Sequence, residues 1–173
     1  MLQNLLDRAR TIKLAVFDVD GVLTDGRLLF FQDTELKAFH TQDGQGIKML
    51  ARSGVRTAII TGRRSAVVER RAQDLGIDFL YQGREDKLAA LDEICQSMEL
   101  DYTEVAYLGD DLPDLTVIRR VGLGMAVANA TDFVRQHAHG VTLASGGNGA
   151  AREFCELIMR GQGRLQQAQE AYL

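Results

Sequence analysis

The chain has 173 residues, 46% of them hydrophobic, and a formal net charge of -4 at pH 7, which suits one domain large enough to bury a sizeable core. With no basic run to neutralise a phosphate backbone, this balance argues against a nucleic-acid protein, while a small anionic substrate stays open because local charge can oppose the net charge. No apolar run approaches the roughly 18 residues of a membrane span, and Cys95 and Cys155 lack metal-type spacing, so a cytoplasmic protein with free thiols is expected.

The opening stretch, MLQNLLDRARTIK, is amphipathic without the apolar core or cleavage pattern of a signal peptide. A buried strand is expected at Leu14–Phe17, and it runs directly into three acids, Asp18, Asp20 and Asp25. The next segment, RLLFFQDTELKAFHT at 27–41, has two apolar or mixed runs flanking QDT and reads as an inserted β-hairpin. Strand-like runs recur at 55–60, 79–81, 105–108, 123–127 and 141–143, alternating with helical spacing at 46–52, 65–75, 85–98, 114–120, 131–138 and 150–159. Such alternation predicts an α/β fold, a Rossmann-like doubly wound parallel sheet with helices on both faces. Gly54, Gly76 and Gly122 sit where a left-handed helix terminator is wanted, and Pro113 opens a helix. Residues 161–173 are polar and read as a loose tail.

Ligands of an open parallel sheet bind outside the carboxyl ends of its strands. Asp18 and Asp20 follow the first strand, Thr61 the second, and Asp110 and Asp111 the run at 105–108, while Lys87 opens a helix. Singly, each has a plainer reading: turn chemistry for Asp-x-Asp, a loop at Thr61, helix caps for Asp110 and Asp111, a solvated lysine. Two carboxylates about 4 Å apart repel by about 4 kcal/mol at an effective dielectric near 20. If Asp18 and Asp110 converge, the site must therefore take up a proton or a cation, and all-oxygen ligands favour Mg2+. A phosphate monoester then fits: the ion and Lys87 offset its charge, Thr61 bonds its oxygens, Asp18 attacks phosphorus and Asp20 serves as acid and base.

The segments DVDGVLTDG, ITGR, DK and YLGDDLPD resemble, in order, the four motifs of the haloacid dehalogenase superfamily of phosphatases. The resemblance implies Asp18 as nucleophile, Asp20 as acid and base, and Thr61 and Lys87 as phosphate ligands. It implies Asp18, Asp20 (through its carbonyl) and Asp110 as magnesium ligands, with Asp111 and Asp114 orienting Lys87 or metal-bound water. LKAFHTQDGQGIKML, ITGRRSAVVERRAQDLGI, LYQGREDKL and GGNGAAREFCELI narrow the likeness to a capless branch acting on an eight-carbon sugar-acid phosphate of lipopolysaccharide synthesis. That branch implies a homotetramer joined through its hairpins, and substrate held by Asp20, His40, Thr41, Gln42, Asp43, Gly44, Lys48, Arg63, Arg71 and Lys87. Gln42 stands where the branch often carries arginine.

About forty residues separate Asp20 from Thr61, too few for a cap domain. Something else must then shield the site, and the apolar Leu28, Leu29, Phe30 and Phe31 mark the hairpin as an assembly face. Two further functions stay open: a phosphatase of a nine-carbon sugar-acid phosphate, and a non-catalytic scaffold. His137 and His139 are expected as solvated cations at a helix end, and GGNG at 146–149 as a turn or a phosphate cradle.

Overall fold

The computed structural model describes residues 2–32 and 34–173. Six parallel strands form the main sheet: β1 (Leu14–Phe17), β4 (Arg56–Thr61), β5 (Phe79–Gln82), β6 (Val105–Gly109), β7 (Leu123–Ala126) and β8 (Gly140–Val141). Their order is β5-β4-β1-β6-β7-β8. β1, β6 and β7 are buried along their whole length, as strands covered on both faces must be. A separate antiparallel hairpin, β2 (Leu29–Phe31) with β3 (Thr34–Leu36), follows β1. The expected hairpin at 27–41 is thus shorter than its segment, and Thr41 already belongs to the next helix.

Helices α1 (Leu2–Ala9), α2 (Thr41–Arg52), α3 (Ala66–Leu75) and α7 (Ala150–Gly161) form one packed group. A second comprises α4 (Lys87–Met98), α5 (Leu112–Ile118) and α6 (Asp132–His137). Phe154 of α7 meets Phe17 of β1 edge to face, ring centroids 5.7 Å apart, tying the last long helix to the central strand. On α4 the buried positions are Lys87, Ala90, Leu91, Ile94 and Cys95, an unbroken helical stripe. Lys87 is inside because the period of its own helix carries it there.

Helix α2 begins five residues before the expected Gly46, although glycine disfavours a helix by about 1 kcal/mol. A glycine is needed within it for a tertiary reason at Gly46, where a Cβ would lie 2.9 Å from the Arg152 backbone. Gly54 and Gly76 are left-handed as expected, with φ of +97° and +70°. Gly122 is not; a Cβ there would meet the Thr103 carbonyl oxygen at 2.2 Å, so close approach explains it. The tail is not loose either. Residues Leu165–Glu170 form helix α8, and the Tyr172 hydroxyl bonds Gln45 and Arg52 of α2. Among the described residues no helix is long and apolar enough to cross a membrane.

Candidate active site

β1 lies between β4 and β6, with Phe17 in register with Ile59 on one side and Leu108 on the other. The carboxyl ends of these three adjacent strands deliver Asp18, Thr61 and Asp110 to a single cleft of about 780 Å³, which Asp20, Arg63 and Lys87 also line. The turn after β1 is self-braced: the Val19 carbonyl accepts the N–H groups of Leu23 and Thr24, and the Thr24 hydroxyl accepts those of Gly21 and Gly26. Gly21, at φ +90°, is where close approach is required, since a Cβ would stand 2.1 Å from a carboxylate oxygen of Asp110.

Lys87 supplies the cation at the base of the cleft. Only 4% exposed, its Nζ sits 3.0 Å from Asp18 and 2.6 Å from Asp114. Asp114 is saturated: one oxygen accepts from Lys87 and from the Tyr107 hydroxyl, both at 2.6 Å, and the other from the N–H groups of Asp110 (2.9 Å) and Asp111 (3.2 Å). Asp111 accepts from Leu112 N–H and caps α5, the plainer of its two expected roles.

Asp18, Asp110 and Asp114 offer oxygens within 4.8 Å of one another. Burial, and then the negative charge of Asp114, pushes Asp18 up to about 7 against the pull of Lys87. The same two causes, with Asp18 adding a third, push Asp110 up to about 8. Asp114 has no free lone pair directed at an ion, so the carboxylates with oxygens to spare are Asp18 and Asp110. Two crowded, under-compensated carboxylates with oxygen donors only suit a hard divalent cation.

Asp20 turns toward the hairpin. One of its oxygens pairs with the Lys37 ammonium and the other lies 3.9 Å from Arg63. Lys37 also reaches Glu35 at 2.5 Å, and Glu35 bonds Arg63 at 2.8 Å.

The remaining residues expected at the substrate do not border this cleft. His40, Asp43, Gly44 and Arg71 line a separate pocket of about 10 Å³ that shares no residue with it. Arg71 lies over the Phe39 ring, 5.5 Å from its centroid. The Asp43 carboxylate accepts from Gly149 N–H (3.2 Å) and Arg152 N–H (2.8 Å) and so caps α7. Thr41 and Gln42 are exposed on the first turn of α2, and Lys48 is half-buried farther along it.

The glycine loop before α7 is a turn, and its backbone packs on the turn after β1. A Cβ on Gly146 would lie 1.7 Å from the Gly21 carbonyl oxygen, and Gly147 donates to Val22 at 2.9 Å. His139 is no solvated cation. Its Nδ1 accepts from Gly124 N–H at 2.9 Å, and burial, then Arg8, hold it below the usual histidine range. Sequence reasoning missed Tyr107, Glu35 and Lys37. Tyr107 carries the one polar side-chain atom of the VAYLG strand, and that was its signal; the two hairpin charges gave none, because only the fold turns them inward.

The haloacid dehalogenase-like hydrolase family matches residues 80–154. The 3-deoxy-D-manno-octulosonate 8-phosphate phosphatase of Yersinia pestis is 46% identical over 166 residues, covering 95% of this chain and 89% of that protein. A probable phosphatase from Pseudomonas syringae superposes with a TM-score of 0.97 at 67% identity, covering 98% and 97% of the two chains. The Moraxella catarrhalis 3-deoxy-D-manno-octulosonate 8-phosphate phosphatase, crystallised with magnesium, phosphate and KDO, is 42% identical with a TM-score of 0.98 over the full length of both.

Proposed function

The chain belongs to the 3-deoxy-D-manno-octulosonate (KDO) 8-phosphate phosphatase family of haloacid dehalogenase-like hydrolases, and on that premise we propose that it hydrolyses KDO 8-phosphate to KDO and inorganic phosphate in lipopolysaccharide synthesis. The observation that carries the reading is the placement of Asp18, held by Lys87 and facing Asp110 and Thr61 across one cleft.

Asp18 Oδ attacks phosphorus, the ester P–O bond breaks, and an aspartyl-phosphate forms on Asp18. Asp20 gives its proton to the departing sugar oxygen. A water then attacks the phosphoryl group, its proton passing to Asp20, and the bond to Asp18 breaks to release phosphate. Thr61 and Lys87 bond the phosphoryl oxygens throughout, and Asp114, locked by Tyr107 and two N–H groups, fixes the Lys87 ammonium. Asp18, the Asp20 carbonyl and Asp110 would hold Mg2+, which neutralises phosphoryl charge and lets both carboxylates be anionic together. Arg63, at the mouth, takes the sugar-acid end. Of the other residues the resemblance adds, Thr41 and Gln42 are the exposed ones, free to meet a substrate or a neighbouring subunit.

We assign the protein to the cytoplasm, where buried, unpaired Cys95 and Cys155 are at home, and to a homotetramer joined through the hairpin. Phe30 is 66% exposed and Leu28, Leu29, Phe31 and Leu36 stand out beside it, an apolar face that association would cover. An active monomer in sedimentation at working concentration removes the tetramer.

Phosphate release from a panel of sugar phosphates tests the activity. KDO 8-phosphate is expected to give the highest kcat/KM, chelation to abolish turnover, and Asp18→Asn to lose turnover while keeping the fold. Preference for a nine-carbon ester, which Gln42 makes the pertinent competitor, overturns the substrate. No release from any ester, with or without magnesium, leaves the scaffold.

A further inference from the structure

Asp20, Lys37, Glu35 and Arg63 close a ring of alternating charge in which each cation faces two carboxylates and each carboxylate two cations. The ring joins three chain segments: the turn after β1, strand β3 with the residue just beyond it, and the loop after β4. The side chain of Lys37 is 1% exposed although the hairpin's apolar side chains face solvent. A desolvated ammonium is tolerated only when well paired, so the ring holds Lys37 in place as firmly as Lys37 holds Asp20.

From this geometry we infer that Lys37 is a positioning residue of the reaction: it fixes the Asp20 carboxylate in the orientation from which Asp20 exchanges its proton with the leaving oxygen and with water. An aspartate has two side-chain torsions; at Asp20 Lys37 bonds one oxygen directly, and the charge of Arg63, 3.9 Å from the other, favours the same orientation. Without Lys37, Glu35 and Asp20 are like charges with Arg63 alone between them, and Asp20 swings away. The hairpin is thereby part of the catalytic apparatus and more than an assembly face.

The inference rests on Asp20 being the acid and base, and a mutant cycle keeps the two separable. kcat and KM on KDO 8-phosphate are measured for Lys37→Met, Lys37→Arg, Asp20→Asn and the double variant, each magnesium-loaded and with its melting temperature recorded. Misplacing a reacting group by about 1 Å costs on the order of 100-fold, so Lys37→Met is expected to lower kcat by about 10- to 100-fold with KM within about threefold. Lys37→Arg should recover most of the loss, and Lys37→Met should add nothing in the Asp20→Asn background, because residues acting as a unit are non-additive. If Lys37→Met does not fold, Glu35→Gln enters the same cycle with a smaller loss expected. Multiplicative effects in the double variant, a loss confined to KM, or wild-type kcat in Lys37→Met overturn the positioning role alone. Wild-type kcat in Asp20→Asn overturns the acid and base assignment and the inference with it.

Discussion

Replacing Asp114 with asparagine perturbs the centre of the buried network, and its cost depends on pH in a direction the structure fixes. An amide keeps one acceptor oxygen and turns an NH2 on the other pair of donors, so either Lys87 and Tyr107 or two backbone N–H groups face a donor. Breaking a buried ion pair from one side costs about 3–5 kcal/mol, and each unsatisfied buried donor about 1–3 kcal/mol, which overlaps that figure. Opposing this, Asp114 repels Asp18 and Asp110; over the 4.8 Å that bounds the three oxygens, each repulsion is about 3 kcal/mol at an effective dielectric near 20. Which effect wins depends on the charge of those two groups. At pH 6, without metal, Asp18 and Asp110, at about 7 and about 8, are mostly protonated and there is little repulsion to relieve. The variant is then expected to lose about 3–5 kcal/mol, a fall in Tm on the order of 10 °C for a chain this long. At pH 9 both are ionised, and the deficit should shrink toward zero. Urea unfolding of both proteins in chelator at the two pH values reads the difference. An equal deficit at both, or a larger one at pH 9, refutes this electrostatic account. Tyr107→Phe removes one donor and no charge, so its loss of about 1.5–3 kcal/mol should vary little with pH.

Metal-free wild type should itself lose stability as pH rises from about 4 to about 8, because folded Asp18 and Asp110 retain protons that the unfolded chain has shed. Magnesium should therefore raise Tm more at pH 8.5 than at pH 6, which a melting series checks; equal gains contradict it. Gly146→Ala places a methyl group against the Gly21 carbonyl, backbone against backbone. A stability loss of about 1–3 kcal/mol and a fall in kcat should appear together, in urea unfolding and phosphate release; unchanged kcat would separate the glycine loop from the turn bearing Asp20.

The residues at the carboxyl edge were legible because the parallel-sheet rule needs only strand ends, and Leu14–Phe17, Val55–Ile60 and Val105–Leu108 are apolar enough to mark theirs. Lys87 was legible only in company, though its place on the stripe with Ala90, Leu91, Ile94 and Cys95 indicates burial. Asp43 was not: its partners lie more than a hundred residues away on α7, and no local pattern separates a long-range cap from a ligand. Gly46 and Gly122 misled for a related reason, each marking where the backbone of another chain segment comes too close for a side chain, which propensity does not register. Lys37 and Glu35 alternate with apolar residues as any solvent-facing hairpin charges would.

The hairpin is clamped at both roots. Upstream, the Gly21–Asp25 turn lies against Gly146 and Gly147, and downstream Asp43 ties α2 to the first turn of α7. The hairpin thus forms a cassette on a fixed frame, exchangeable in outward chemistry without re-registering β1 or α2. A graft that retained Glu35 and Lys37 would change what the hairpin presents to solvent and leave the charge ring around Asp20 intact.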